Sequence, residues 1–144
     1  MAANYTIVGQ WPTTELQGGT NVIAVKEFAV TTKPDGLYFQ FRRPQSQLSA
    51  LSASGQTELI DSVADQLATR IEAVFNLANV TWIDYTQDTN PGGQLLDNMI
   101  VYVQSASGNS QGTVTIPLAD IGPGDYTTSR VTAEVDALNA AEAL

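Results

Sequence analysis

The sequence predicts an α+β domain. It has a mixed or antiparallel sheet of about five to six strands packed by one long amphipathic helix, with an extended N-terminal arm and a short C-terminal helix. Three observations predict it. Several short β-branched or aromatic runs are bounded by Gly, Pro, Asn, Asp or Ser. Between residues 57 and 76 the apolar residues recur at three- and four-residue steps instead of alternating. The length of 144 residues suits one domain, and a chain of that size can bury roughly 68–70% of its unfolded surface without staples. The organisation expected is an arm over 1–21, a core over 22–130 and a helix over 131–144.

Residues 1–21 contain a short strand candidate at Tyr5 to Val8, then Trp11-Pro12 and the Gly18-Gly19 pair, which should leave this opening segment loosely structured. A hairpin follows. "NVIAVKEFAVTT" and "LYFQFRR" flank Lys33-Pro34-Asp35-Gly36, where Pro presets φ and Gly accepts the positive φ that closes the turn. In the second strand Leu37, Phe39 and Phe41 share a core face, and Tyr38, Gln40 and Arg42 share a wet one. Residues 44–56 form a polar connection without a period.

From Thr57 to about Asn76, Ile60, Val63, Leu67, Ile71 and Val74 form one stripe of a helix, with Glu58, Ser62, Asp65, Thr69, Glu72 and Asn76 opposite. Glu58 and Asp61 are placed in its first turn, where the helix dipole favours acids. Strands are expected at 80–86, 98–105 and 113–118, the last two joined by Ser107-Gly108-Asn109, and Trp82 is expected in the core. The terminal "SRVTAEVDALNAAEAL" places Val131, Val135 and Leu138 on one side of a short helix.

Composition excludes more than it proves. Only 15% of residues are charged, against 44 Ser, Thr, Asn and Gln, so uncharged polar groups wet the surface. A net charge of −9 repels phosphate backbones and anionic membranes, so neither nucleic acid nor membrane is expected as a partner. There is no His and no Cys, which removes the usual triads, thiolate chemistry and zinc sites. No phosphate-binding glycine motif is present; the Gly pairs at 18 and 92 read as turns. The first residues lack a secretory pattern, and a cytoplasmic site of synthesis is expected. No cofactor and no catalytic residue are expected.

Carboxylates are the remaining chemistry. "DYTQDTNPGGQLLD" carries Asp84, Asp88 and Asp97, and several oxygens at short spacing suit a cation, as two carboxyls across a cleft suit a glycosidase. The order of an EF-hand loop is missing, so a solvated loop is the expectation and a metal at Asp84, Asp88 and Asp97 the lesser alternative. Asp120 and Asp125 read as turn residues. Asp61 and Asp65, at i and i+4, read as a solvated helix face.

Three residues stand as interface candidates. Trp11 beside Pro12 either anchors a partner or tucks under its own domain. Arg42 and Arg43 point to opposite faces of their strand. Either one pairs with an internal acid while the other faces a partner, or both pair with acids at a strand end.

In "MAANYTIVGQW", the Thr-rich strands, the polar loops and the small-residue C-terminal helix, the chain resembles virion structural proteins of tailed bacteriophages, most of all small capsid decoration or minor capsid proteins. That resemblance implies a non-enzymatic role bridging subunits of an assembled shell, with the major capsid protein or other virion proteins as partners, homo-oligomers among the forms, and the virion as location. Arg42 or Arg43 would then meet an acidic patch, with Trp11 as an anchor. A tail or head-to-tail connector component, a small carboxylate-dependent hydrolase and a carbohydrate-binding domain are the alternatives.

Overall fold

The computed structural model describes residues 3–17, 20–89, 95–120 and 125–144. Its elements run β1 (Tyr5–Gln17), β2 (Asn21–Thr32), β3 (Tyr38–Pro44), α1 (Gln45–Ser49), α2 (Ala53–Phe75), β4 (Val80–Thr89), β5 (Leu95–Gln104), β6 (Gln111–Pro117), a 3-10 turn at Leu118–Asp120 and α3 (Asp125–Glu142). The class is α+β, but the single sheet of five to six strands is corrected. The strands form two separate three-stranded antiparallel sheets, β1-β2-β3 and β4-β5-β6. Each sheet pairs only strands adjacent in sequence, while α1 and α2 intervene between β3 and β4. Alternating hydrophobicity specifies which side chains face inward, and it is silent about which strand edges pair.

Residues 5–17, expected as a loose arm, are β1, in register with β2 from Tyr5–Thr32 to Gln17–Asn21. Its start is tied to α2: the Tyr5 hydroxyl donates to Asp61 Oδ1 at 2.5 Å, and Asn4 Nδ2 donates to Asp65 Oδ1 at 3.3 Å and to Thr69 Oγ1 at 3.2 Å. Asp61 and Asp65 are therefore acceptors for the start of β1 as well as a helix face. Burial, and then the Asp61 carboxylate, push the Tyr5 phenol up to about 12. The turn at 33–36 closes as its sequence requires, with Gly36 at φ 69° and the Thr32 and Leu37 backbones bonded across it. Leu37, Phe39 and Phe41 are buried as expected, and Phe41 stacks on Phe28 at 5.1 Å between ring centres.

The helix α2 starts at Ala53, with Ser52 Oγ accepting from Gly55 N at 3.1 Å. Glu58 and Asp61 consequently lie beyond the first turn, and the dipole assignment is corrected. The polar connection also contains α1, whose Leu48 is fully buried. On α2 the most buried stripe is Ala64, Ala68, Ile71 and Val74, while Ile60, Val63 and Leu67 pack at its margin. Alanines let the helix axis approach the sheets closely, and a fully buried Ile or Val adds roughly 1.5–3 kcal/mol.

Glu72, assigned to the solvent stripe, is instead buried. Its Oε1 accepts from the Thr32 hydroxyl at 2.6 Å and from Asp35 N at 3.1 Å, clamping the β2–β3 turn to the helix, while Oε2 is buried without a partner among the described residues. Burial, with the Asp35 side chain next, raises its pKa. A raised carboxyl pKa means that the folded state favours the neutral form. Its contribution is fully present below the ordinary carboxylate range and is lost as pH rises through the folded value. Glu72→Gln keeps the acceptor and removes the charge, so it is expected to stabilise the protein by about 1 kcal/mol at neutral pH. Urea denaturation should show that gain vanishing as the pH falls below the carboxylate range.

In the second sheet Ile83 is buried and Trp82 is 46% exposed, its ring edge-on to Phe75 at 5.9 Å, which corrects Trp82 as a core residue. A register shift between Val80 and Trp82 accompanies the change; Ile83 and Tyr85 take the inner face. The β5–β6 hairpin forms where expected, with Gly108 at φ 79°. The C-terminal helix begins at Asp125 and is longer than expected, but Val131, Val135 and Leu138 do pack inward. Glu142 in its last turn accepts from the hydroxyls of Ser105 at 2.8 Å, Ser107 at 2.9 Å and Ser110 at 2.7 Å. A carboxylate is poorly placed at a helix C-terminus; these hydroxyls, Ser110 first, hold it there and lower its pKa.

Both sheets, α1, α2 and α3 contribute to one hydrophobic cluster. Among the described residues no helix is long and apolar enough to cross a membrane.

Candidate functional site

Strand register builds the site. Because Phe39 and Phe41 face the core, Arg42 falls on the other face of β3, directly opposite Glu27 of β2, which is itself opposite Trp11 of β1. The three side chains form one row across the sheet. Trp11 Nε1 donates to Glu27 Oε2 at 3.1 Å, and Arg42 Nη2 donates to Glu27 Oε1 at 3.4 Å. The indole folds over Gly9, where an added Cβ would stand 3.2 Å from a ring carbon. Glycine there makes room for the ring.

The row continues into the second sheet. Arg42 Nη1 lies 3.0 Å from Asp97 Oδ1 and 3.9 Å from Glu15 Oε1, and the Tyr85 hydroxyl donates to the same Asp97 oxygen at 2.9 Å. Only 6% of the Arg42 side chain is exposed, against 8% for Glu27, 16% for Asp97 and 23% for Glu15. One buried guanidinium therefore joins three carboxylates from β1, β2 and β5, bridging two sheets that share no backbone ladder. A planar guanidinium suits this task because its donors fan out to several carboxylates at once.

Arg43 is treated differently. Its Nη1 donates to the carbonyl of Arg42 at 2.7 Å and its guanidinium lies 5.7 Å from the Phe41 ring centre. Among the described residues no carboxylate makes an ion pair with Arg43 or with Arg70 of α2. Burial lowers the Arg43 pKa from its ordinary value, yet a guanidinium starts high enough to remain charged. The two arginines thus take separate roles, one inside the ion cluster and one outside it.

Next to the cluster lies a cavity of about 520 Å³ between β3, α2 and the ends of β5 and β6. Val25, Phe41, Val63, Leu67 and Leu118 form its apolar wall. Arg42, Arg43 and Arg70 supply its cations, and Glu15 and Asp97 its acids.

The carboxylates proposed for a cation do not converge. Asp84 pairs with Ile100, Asp97 with Gln87, so Asp84 shares the outward face of β4 with Trp82 and Asp97 lies on the inward face of β5 with Met99. Asp84 is exposed and its Oδ1 accepts from Tyr85 N at 2.9 Å, while Asp97 already faces Arg42. Residues 84–89 and 95–97 belong to strands, not to a solvated loop. The Asp88 and Asp125 side chains, like Gly18, Gly19 and Gly92, lie outside the described residues; Asp120 closes the 3-10 turn. Among the described residues no three acids are grouped to hold a metal ion.

Sequence reasoning named Trp11, Arg42 and Arg43 but missed Glu15, Glu27, Arg70 and Tyr85. Glu27 had a usable signal, an acid in the middle of an apolar strand run. Arg70 had none, since an exposed helix arginine is unremarkable alone. No known protein family, no curated protein and no solved structure matches this chain.

Proposed function

We propose that this protein is a non-enzymatic structural component of a phage particle, a decoration or minor capsid protein that binds the assembled shell through its β1–β2 ribbon. The observation that carries the reading is where β2 loses its second neighbour. β3 pairs with β2 from Thr31 back to Val25, while β1 continues to pair through Thr14–Ala24, Glu15–Ile23, Leu16–Val22 and Gln17–Asn21. Those rows extend the hairpin by about 14 Å as a two-stranded ribbon. A two-stranded ribbon is marginal by itself in water, and this one exposes Val22 at 62%. Docking on a shell subunit would cover Val22 and supply the missing packing.

The resemblance in sequence style supports the same role, and Trp11, 38% exposed at the base of the ribbon, adds an aromatic rim. Arg42 is occupied within the fold, so Arg43 is the arginine left to meet an acidic partner surface.

The test is copy number in purified particles by quantitative mass spectrometry, together with co-sedimentation of Val22→Asp with shells that lack the protein. Copies comparable with the shell protein, and loss of at least tenfold in binding for a folded Val22→Asp, are the expected results. A few copies per particle would move the protein to the tail or connector. Absence from particles would discard the reading.

A further inference from the structure

We propose that the cleft between β3, α2 and β6 is a binding site for a small organic anion, a single carboxylate carried on an aliphatic stem. The inference rests on this cleft and not on the capsid reading, which draws on Arg43 as well. Size comes first: about 520 Å³ falls within the roughly 300–1,000 Å³ typical of small-molecule sites. Its wall of Val25, Phe41, Leu67 and Leu118 suits a stem of several carbons.

Charge selects the head group. The chain has six basic residues and a net charge of −9, yet Arg42, Arg43 and Arg70 all line this one cleft. Arg42 is committed to its three carboxylates, although its Nε is buried without a partner among the described residues. Arg43 and Arg70 make no ion pair among those residues, and Arg43 is partly desolvated against Phe41. A desolvated cation gains most from a charge-assisted bond to an anion. The net charge of −9 repels anions from the molecule at large, so the guanidiniums gathered here are where one is drawn in.

Glu15 and Asp97 on the same wall limit the charge that fits. A carboxylate adds one negative charge, whereas a phosphate dianion would face both acids without using the apolar wall. A neutral aliphatic ligand would fill the wall and leave both guanidiniums unanswered.

The experiment is a titration of the ¹⁵N-labelled full chain with hexanoate, followed by amide chemical shifts, in parallel with hexan-1-ol and inorganic phosphate. The expected result is saturable hexanoate binding that moves amides in 41–44 and 63–70, with hexanol and phosphate each at least tenfold weaker. Arg70 is exposed on α2, so Arg70→Gln should leave the spectrum otherwise intact while weakening hexanoate about tenfold. Arg43→Gln should act in the same direction. Absence of saturable shifts, equal binding of hexanol or phosphate, or an unchanged affinity in a folded Arg70→Gln would each overturn the proposal.

Discussion

Arg42→Ala is expected to destabilise the protein by about 3–5 kcal/mol, the usual cost of removing one partner from a buried ion cluster. Three carboxylates, Glu27, Asp97 and Glu15, lose their shared cation at once, and the first two are mostly shielded from water. Their mutual repulsion then acts between two sheets that share no strand pairing among the described residues. Arg42→Lys should recover only part of the loss, because an ammonium cannot reach Glu27 and Asp97 with the fixed span of a guanidinium. Guanidinium chloride midpoints, with the slope checked for two-state behaviour, measure both variants. A loss below about 1 kcal/mol for Arg42→Ala would mean that the cluster is only a surface ion pair.

Phe41→Ala should be comparably severe, about 3–5 kcal/mol, the range for emptying a buried aromatic site. Phe41 is 2% exposed and stacks on Phe28 at 5.1 Å and near Phe39 at 6.5 Å. It also carries the Arg43 guanidinium on its ring and forms part of the cleft wall. Its loss therefore combines an unfilled volume in the core with an unsupported arginine. Phe41→Leu separates the two: it restores much of the apolar volume, so about half of the stability should return. The leucine variant keeps no ring for Arg43. Thermal and denaturant midpoints read the stability difference, and equal losses for Ala and Leu would show that stacking, not volume, holds this site.

The two predictions meet where the fold departs from its sequence reading. The alternation of Leu37, Phe39 and Phe41 is visible in the chain because a strand turns each successive side chain to the opposite face, so burial can be read two residues at a time. The turn at Lys33 to Gly36 and the glycine at 108 are visible for a similar reason, since only a few residues accept positive φ. The same local logic misplaced Trp82, because one register shift at the start of β4 decides which face the indole takes. It also placed Glu72 in water, because helical periodicity ranks residues by polarity and cannot see that the β2–β3 turn presents a hydroxyl and an N–H to it.

What the sequence by itself determined is local: the α+β class, the core face of β3, part of the apolar stripe of α2, both tight turns, and the exclusion of histidine and cysteine chemistry. These depend on side-chain periodicity and backbone preferences within a few residues, which any chain carries on its face. Tertiary structure alone decided that the strands divide into two sheets and that Arg42 gathers Glu15, Glu27 and Asp97. It alone decided that Arg43 and Arg70, twenty-seven positions apart in number, line one cleft. Such choices rest on which strand edges meet and how far charges can be desolvated together, and those are properties of contacts between distant segments.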